Sequence, residues 1–331
     1  MKIIIRNFLI FLTVAAFISL NFIVINKLTS INSDKTQLKP KIVLISHVIT
    51  NPYWNYIRYG AEKAAKERNA IIDFQGPDAP SAKEGIKLIN MAYSSRADGI
   101  ITYIQDQYKY NNIINTVIKS GVPLVTIDSD AEKSNRLAYV GTDNISAGRK
   151  GAKELIKQIG ITGNIGIIIG GKDVKNQIER IKGFREYIDK NSELKIVDIE
   201  SSDAFLLEAE IAANQILVKD PGIKALFCTS ALDGLGAEKA VSSLKMDGKV
   251  KIICFDDLPE TLEKIKEGKI AATIVQKPIY MGYKAVEIIM DRIEGRSKGK
   301  RKLFLTGVEV IDSSNIDAYI KMQGEMNVEN K

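Results

Sequence analysis

The sequence predicts an α/β protein with two doubly wound parallel sheets. From Lys41 onward, short runs of β-branched residues alternate with amphipathic segments of helical period, an order that indicates βαβ units and parallel sheets. Nine or more such units fit two open sheets better than one closed barrel. The 331 residues correspond to about two domains, and 45% apolar with 26% charged residues is an ordinary globular composition.

The N-terminal segment predicts a signal anchor or a signal peptide. The 18-residue run Phe8–Ile25 is apolar except for three polar residues, and Lys2 and Arg6 precede it. The run is longer than the roughly 7–15 apolar residues of a cleavable signal and approaches the ~20 that span a bilayer. We therefore expect a transmembrane anchor helix, or else a cleaved signal, over 1–25, a polar stalk over 26–40, and an extracytoplasmic remainder.

Strands are predicted where short, mostly apolar and β-branched runs occur without helical period, the pattern of strands buried on both faces. In chain order these runs are Lys41–Ser46, Ile71–Phe74, Gly99–Ile104, Val122–Ile127, Leu137–Val140, Ile165–Ile169, Lys195–Ile199, Ala225–Cys228, Val250–Cys254, Ile270–Val275 and Val308–Ile311.

Helices are predicted where apolar residues recur every three or four positions among charged ones, as at Ile57, Ala61 and Ala64. Asp143 is a favourable N-cap for a helix that carries Leu155 on its apolar face. The other predicted helices are Tyr53–Arg68, Ser81–Ser95, Asn111–Lys119, Gln177–Lys190, Leu206–Val218, Asp233–Met246, Pro259–Glu267 and Ile279–Glu294.

The net charge of +7 does not indicate a nucleic-acid-binding face. Residues 1–41 contain six cations and one anion, and Arg292–Lys302 contains another six cations and one anion. The rest of the chain carries a net charge of −3. Because the positive charge is confined to these two segments, we expect no nucleic-acid partner and interpret Arg292–Lys302 as a solvated connection.

The two cysteines, Cys228 and Cys254, each lie in a predicted strand. We expect two buried free thiols, a common state of cysteine in a core, while a disulfide stays open. Two cysteines and one histidine offer no metal-ligand spacing, so no metal or other cofactor is expected.

Ligands bind beyond the carboxyl ends of strands in open parallel sheets, so the loops after the strands are candidate binding loops. The first loop contains Asn51, Tyr53 and Trp54. These residues offer an amide donor and acceptor and two flat apolar faces with polar edges. A buried first helical turn is the alternative for the two aromatic residues, but the loop position favours ligand contact.

Acidic residues end two further strands. Asp128 follows Val122–Ile127, and Asp256 follows the strand that ends near Cys254. Acid–base catalysis would need a companion such as histidine, which the sequence does not place near them. A calcium-loop motif is absent. A carboxylate that accepts two hydroxyl hydrogens is the simplest use, and a helix N-cap is the alternative.

Three weaker candidates complete the cleft. Gln276 follows the strand Ile270–Val275, Arg180 lies in a predicted helix, and Phe205 lies in the loop after Lys195–Ile199. Together with the first loop and the acidic ends, they indicate a cleft for a carbohydrate or another polar small molecule. The sequence contains no dinucleotide-binding, P-loop or nucleophile-elbow motif.

A set of short strings, in order, resembles the periplasmic sugar-binding proteins of the ribose/galactose/xylose class over about residues 41–321. The strings are NPYW at Asn51–Trp54, GAEKAAKE at Gly60–Glu67, DGIITY at Asp98–Tyr103, GVPLVTIDSD at Gly121–Asp130, VGTDN at Val140–Asn144, ERIKGF at Glu179–Phe184, FDD at Phe255–Asp257 and GKIAATIVQKP at Gly268–Pro278. Each string alone is weak, but the set and its order are specific.

The resemblance implies two lobes that close on a sugar like a hinge. The chain would cross between them near Gly141–Asp143, Gln276–Pro278 and Leu305–Gly307. The implied domains are an N-lobe of 41–142 plus 277–305, a C-lobe of 143–276 plus 306–321, and a tail of 322–331.

The resemblance, with the loop positions, also implies the ligand-binding residues. They are Asn51, Tyr53, Trp54, Tyr103, Asp128, Asn176, Arg180, Phe205, Ser230, Asp233, Asp256 and Gln276. The chain departs from the class pattern, with Ile178 where an arginine is usual and Ser230 in place of an asparagine. These departures leave open whether Arg180 is structural and Asn176 or Gln177 makes the contact. They affect the identity of the sugar, not the class.

The favoured function is a receptor for a monosaccharide, with a pentose such as xylose or ribose as the first candidate. Its partner would be a membrane sensor histidine kinase or an ABC transporter permease. An uncleaved anchor fits the sensor role better, because a transport receptor usually diffuses or carries a lipid. Relatives with such an anchor resemble xylose sensors that work beside a histidine kinase, so xylose is the first guess for the sugar. A sugar-responsive repressor would need a helix-turn-helix where this chain is apolar. An α/β enzyme would need motifs that are missing, so no enzymatic activity is expected.

Overall fold

The computed structural model describes residues 13, 15–24, 39–297 and 302–329. Residues 13 and 15–24 are helical. Two polar side chains in this apolar segment bond to backbone oxygens four residues earlier, Ser19 to Ala15 and Asn21 to Phe17, so neither needs an outside partner. Among the described residues, no helix is both long enough and apolar enough to cross a membrane. Much of the predicted anchor and nearly all of the predicted stalk lie outside the described residues.

Beyond the N-terminal segment, the described residues form twelve strands and ten helices. The strands are β1 (Lys41–Ile45), β2 (Ile71–Gln75), β3 (Gly99–Thr102), β4 (Leu124–Ile127), β5 (Ala138–Thr142), β6 (Thr162–Ile169), β7 (Glu193–Ser201), β8 (Ala225–Cys228), β9 (Lys251–Phe255), β10 (Ala272–Val275), β11 (Lys302–Thr306) and β12 (Glu309–Asp312). The helices are α1 (Tyr53–Glu67), α2 (Ala82–Ser94), α3 (Asn111–Lys119), α4 (Asn144–Ile159), α5 (Lys175–Asn191), α6 (Leu206–Lys219), α7 (Ala231–Ser243), α8 (Pro259–Lys266), α9 (Pro278–Ile293) and α10 (Ile316–Glu329).

The strands form two six-stranded sheets, which define two lobes. The N-lobe sheet has the order β11-β5-β4-β3-β1-β2 and is parallel throughout. The C-lobe sheet has the order β12-β10-β9-β8-β6-β7, in which only the edge strand β12 is antiparallel among the described strands. In each lobe the first strand, β1 or β6, lies between the next two, so connections leave in opposite directions and a binding crevice forms there. The predicted fold class is confirmed.

The described chain passes between the sheets three times: after β5, after β10 and after β11. Thr142 and Gln276 join two of these crossings, because the Thr142 hydroxyl donates to Gln276 Oε1 at 2.7 Å. Thr306 on the third crossing lies beside the first, since its backbone oxygen accepts from the Asp143 N–H at 3.3 Å. The crossings therefore run together as one hinge.

Each sheet is covered by apolar side chains on both faces. In β1, Ile42 and Leu44 belong to one apolar cluster, while Val43 and Ile45 belong to another on the opposite face. The C-lobe also has two such clusters. Burial on both faces explains why the strands read as continuous apolar runs in the sequence.

Close approach of α1 and α9 attaches the late helix α9 to the N-lobe. A Cβ at Gly60 would lie 1.9 Å from the Ile279 carbonyl oxygen, and one at Gly282 would lie 1.9 Å from the Ile57 carbonyl oxygen. The two helices therefore touch backbone to backbone, which a larger residue at either position would prevent.

Two elements were not predicted from the sequence. β11 pairs with β5 at the edge of the N-lobe sheet, and α10 continues to Glu329, into the segment interpreted as a tail. Within the basic run Arg292–Lys302, residues 298–301 lie outside the described part of the chain. Both cysteines are buried free thiols, as predicted.

Candidate ligand-binding site

A cavity lies between the lobes at the carboxyl ends of both sheets. Its volume is about 50 Å³, which suits a small ligand rather than a polymer. Its walls come from loops after β1, β3, β4, β7, β8, β9 and β10, from the first turns of α1 and α7, and from the first two turns of α5. The lining residues are His47, Asn51, Tyr53, Trp54, Tyr103, Asp128, Asn176, Gln177, Arg180, Ala204, Ser230, Ala231, Leu232, Asp256 and Gln276.

Asp128 lies directly after β4 and presents its carboxylate to the cavity. Its side chain is nearly buried, and burial raises its pKa even though the nearby Arg180 guanidinium acts in the other direction. The Tyr53 hydroxyl donates to Oδ1 and the Asn176 amide donates to Oδ2, both at 2.9 Å. The second bond crosses the cleft, because Asn176 belongs to the C-lobe. The lobes are therefore in contact around the cavity.

Asp256 is the corresponding carboxylate of the C-lobe, directly after β9. Gln276 Nε2 donates to its Oδ1 at 2.7 Å. Burial raises the pKa of Asp256 to about 7, against the opposing effect of Arg180. Asp128 and Asp256 both have left-handed backbone, with φ of 64° and 69°. Neither caps a helix in the described chain, so the N-cap alternative fails for both.

Arg180 lines the cavity and also holds the surrounding loops together through hydrogen bonds. Its Nε donates to Asn144 Oδ1 at 3.0 Å, Nη1 to the Thr229 carbonyl at 2.7 Å, and Nη2 to Gln276 Oε1 at 2.8 Å. The guanidinium lies 4.2 Å from the centre of the Phe255 ring. It supplies the positive charge that accompanies the two buried carboxylates. Ile178, at the position expected for an arginine, is 41% exposed.

Aromatic side chains form the N-lobe wall. Trp54 meets Tyr103 edge to face at 5.5 Å and Tyr53 edge to face at 6.0 Å between ring centres. Tyr53 and Trp54 lie in the first turn of α1 and are buried, yet both line the cavity. Asn51 holds this turn, because its Oδ1 accepts from the Tyr53 N–H at 3.1 Å.

His47 lines the same cavity as Asp128 and Asp256, a proximity that the sequence could not establish. Its ring packs against that of Tyr103, with ring centres 4.6 Å apart and ring planes tilted by 35°. Its Nε2 is buried and has no hydrogen-bond partner among the described residues. Burial lowers its pKa to about 4, so the imidazole is neutral at physiological pH. The position of His47 at the start of the loop after β1 was the sequence signal that could have predicted its place in the cavity.

Ten of the twelve expected ligand-binding residues line the cavity, and Phe205 and Asp233 do not. Positive φ at Asp203 and Ala204 turns the chain before Phe205, so Ala204 faces the cavity and Phe205 is 38% exposed. Gln177, kept as an alternative contact, lines the cavity as well.

Asp233 is fully buried behind the cavity wall. Its carboxylate accepts from the Ser202 hydroxyl and lies 3.2 Å from Thr229 Oγ1. Its backbone N–H donates to the Ser230 hydroxyl at 3.2 Å. The residue therefore joins the loops after β7 and β8, and of these partners Ser230 is the one that reaches the cavity.

The arrangement suits reversible binding of a hydroxyl-rich ligand. Carboxylates, amides and a guanidinium are planar groups that accept from and donate to hydroxyls, and the aromatic wall suits the C–H face of a sugar ring. Within the described residues there is no group of three or more histidine, cysteine, aspartate or glutamate side chains placed to hold a metal ion.

Comparison with known proteins gives the family. Residues 42–297 match the family described as "Periplasmic binding protein domain". The chain is 57% identical to a solved protein titled "XylFII-LytSN complex", with a TM-score of 0.80, covering 84% of this chain and 99% of that one. It is 34% identical to GanP, a glucose-galactose binding protein from Geobacillus stearothermophilus, with a TM-score of 0.79 and coverage of 84% and 99%.

A curated relative agrees with these structures. The ribose import binding protein RbsB of Bacillus subtilis (strain 168) is 27% identical over 255 residues, which cover 76% of this chain and 81% of that protein. These relatives are binding proteins, and this chain is a binding protein rather than an enzyme. With its two-lobed fold, interlobe cavity and match over most of its length, the chain belongs to the periplasmic binding protein family.

Proposed function

We propose that the protein is an extracytoplasmic receptor for a monosaccharide, with an aldopentose such as xylose or ribose as the preferred ligand. The observation that carries this proposal is the pair of buried carboxylates in the cavity lining, Asp128 and Asp256, one from each lobe, with the positive charge of Arg180 near both. Carboxylates held in this way are acceptors for vicinal hydroxyls. Each such bond contributes about 1.5–3 kcal/mol, so four or five give micromolar or tighter affinity after entropy costs.

The size of the cavity supports a monosaccharide over a longer saccharide, because its volume is only about 50 Å³. Similar proteins carry names for ribose import and for glucose-galactose binding, so pentose and hexose both belong in the test.

The partner we propose is a membrane protein that recognises the closed form of the receptor. A sensor histidine kinase is the first candidate, and an ABC importer is the second. A similar protein has been solved in a complex with LytSN, which supports a second protein as partner. The apolar run Phe8–Ile25, with Lys2 and Arg6 before it, supports attachment to the membrane, and attachment suits a sensor that stays beside its kinase.

Titration calorimetry of the full chain with a panel of aldopentoses and aldohexoses tests the proposed ligand. We expect heat of binding with at least one aldopentose, dissociation constants in the micromolar range or below, and unchanged sugar after prolonged incubation. Asp128→Ala removes the N-lobe acceptor, so we expect no measurable binding although the variant folds. Asp257→Asn, beside Asp256 but outside the cavity lining, is the matched control. Binding of a nucleotide or an amino acid with no response to any aldose would overturn the proposal.

A further inference from the structure

Three consecutive C-lobe residues, Val174, Lys175 and Asn176, reach across the cleft to the N-lobe. We call them the clasp. They stand at the start of α5, immediately after the loop that follows β6. Asn176 lines the cavity and bonds to Asp128, so it belongs to the binding site already described. Val174 and Lys175 do not line that cavity.

Val174 is packed inside the other lobe. It is fully buried and belongs to an apolar cluster whose remaining buried members, Trp54 and Tyr103 among them, come from the N-lobe. Opening the hinge would draw this side chain out of the N-lobe and expose apolar surface on both sides. Burial of that surface therefore stabilises the closed form whether or not a ligand is present.

Lys175 adds a charged contact between the lobes. Its Nζ lies 2.9 Å from Oε2 of Glu132, which follows β4 in the N-lobe. The Lys175 side chain is 16% exposed and that of Glu132 is 71% exposed. The hydrogen bond from Lys175 lowers the pKa of Glu132. Lys175 Nζ also lies 3.6 Å from Glu179 in its own helix, so the ammonium keeps one partner when the lobes separate.

These contacts affect ligand affinity without touching the ligand. A cleft that binds only when closed has an apparent affinity equal to its intrinsic affinity multiplied by the fraction of molecules that are already closed. Any residue that stabilises the closed form alone raises that fraction and hence the affinity.

We propose that Val174 and the Lys175–Glu132 pair set the open–closed equilibrium of the receptor and thereby its sugar affinity. The inference rests on the proposed function only for the identity of the ligand. The equilibrium itself belongs to the unliganded protein and is measurable without any sugar.

A double-mutant cycle on the full chain, followed by calorimetry with the aldopentose that the wild type binds, tests the charged contact. Glu132→Gln is expected to weaken binding about two- to fivefold, the size of a partly exposed ion pair. Lys175→Gln is expected to do the same, and the double variant is expected to bind no more weakly than either single variant. Fully additive losses would overturn the role of the pair.

Val174→Ala tests the apolar contact and is expected to weaken binding about tenfold, because it deletes buried carbon atoms that opening would expose. Glu186→Gln is the matched control. It breaks the 2.7 Å pair with Arg149, which lies wholly within the C-lobe with both partners about half exposed, so the affinity is expected to change less than twofold.

Hydrogen exchange of the unliganded full chain separates this proposal from the proposed function. Val174→Ala and Glu132→Gln are expected to speed amide exchange on both sides of the clasp, in 172–178 and 102–106, while Glu186→Gln does not. If the wild type bound no sugar, the proposed function would fail. The exchange result would still show whether the contacts of Val174 and of the Lys175–Glu132 pair hold the lobes together. Exchange at wild-type rates in both Val174→Ala and Glu132→Gln would show that these contacts do not hold the lobes together.

Discussion

Asp128 and Asp256 hold strained backbone at the two points where the cavity needs a carboxylate. Each directly follows a central strand and has a left-handed φ, a region that costs free energy for a residue with a Cβ but is tolerated by aspartate. Both side chains line the cavity, and neither caps a helix in the described chain. Strain of this kind is retained where the surrounding structure enforces it, and here it places both acceptors.

Affinity for a sugar is expected to fall on acidification because of Asp256. Burial raises its pKa to about 7, and a hydroxyl donates better to the ionised carboxylate than to the protonated one. Below about pH 7 the carboxyl must lose its proton on binding, so affinity falls by up to about tenfold per pH unit. Calorimetry from about pH 8 to about pH 5 measures this, and buffers of different ionisation enthalpy reveal the released proton.

The charged and polar side chains around Asp256 determine which control can assign the pH dependence of affinity to this residue. Arg180, Asp128, Asp257 and Gln276 face it, and the pKa of His47 lies near 4, outside the range. Asp256→Asn is expected to bind weakly with a flatter pH profile, whose residual slope comes from Asp128. A variant profile as steep as that of the wild type would place the titration elsewhere.

Among the elements, α9 shows how a late segment of the chain becomes part of the first lobe. Gly60 in α1 and Gly282 in α9 allow the two helices to touch backbone to backbone. α9 also contributes Met281, Val286 and Ile289 to the apolar cluster of the N-lobe. The N-lobe therefore combines early and late parts of the sequence.

Gly282→Ala is expected to lower the free energy of unfolding by about 1–3 kcal/mol, because its Cβ would meet the Ile57 carbonyl at 1.9 Å and force the helices apart. Urea unfolding followed by circular dichroism measures the loss. In Gly222→Ala the new Cβ would lie 3.3 Å from a flexible Asp220 side chain, so little change is expected there. Equal stability of the two variants would contradict the close helix contact.

The elements that the sequence predicted share one property: their local pattern and their tertiary role agree. β1, buried on both faces, reads as a continuous apolar run, and the Asp143 carboxylate accepts from the Ser146 N–H at 3.0 Å, as the predicted N-cap. The local pattern of β11 did not predict a strand, because β11 is an edge strand with Leu303 and Leu305 exposed. Its strand character comes from pairing with β5, which lies far away in sequence.

At the scale of the whole molecule, the ligand would join the lobes more firmly than the protein contacts alone. Asp128 and Tyr53 belong to one lobe and Asp256 and Arg180 to the other, so a sugar held by both sets adds bonds that exist only in the closed form. Binding should therefore be visible as stabilisation of both lobes together.

Thermal unfolding with sugar at about 100 times its dissociation constant is expected to raise Tm by about 5–10 °C, the effect of roughly 2.7 kcal/mol of linked binding. Differential scanning calorimetry of the full chain measures it. Asp128→Ala in the same sugar is expected to show no rise. A rise in only one of two separate transitions would mean that the ligand contacts a single lobe.

The sequence by itself determined the fold class and most of the cavity. Continuous apolar runs that alternate with amphipathic segments specify parallel sheets, and parallel sheets put the polar ends of their strands on one edge. For that reason Asn51, Asp128 and Gln276 could be named from their positions after strands.

Only the tertiary structure decided which of the remaining side chains face the cavity. Phe205 turns outward after two residues of positive φ, Asp233 supports the wall from behind, and His47 enters the cavity. Loop direction and contacts between lobes depend on packing between distant segments, which local sequence does not encode. The clasp has the same origin, because Val174 is an ordinary apolar residue in the sequence and becomes a contact across the cleft only when the lobes meet.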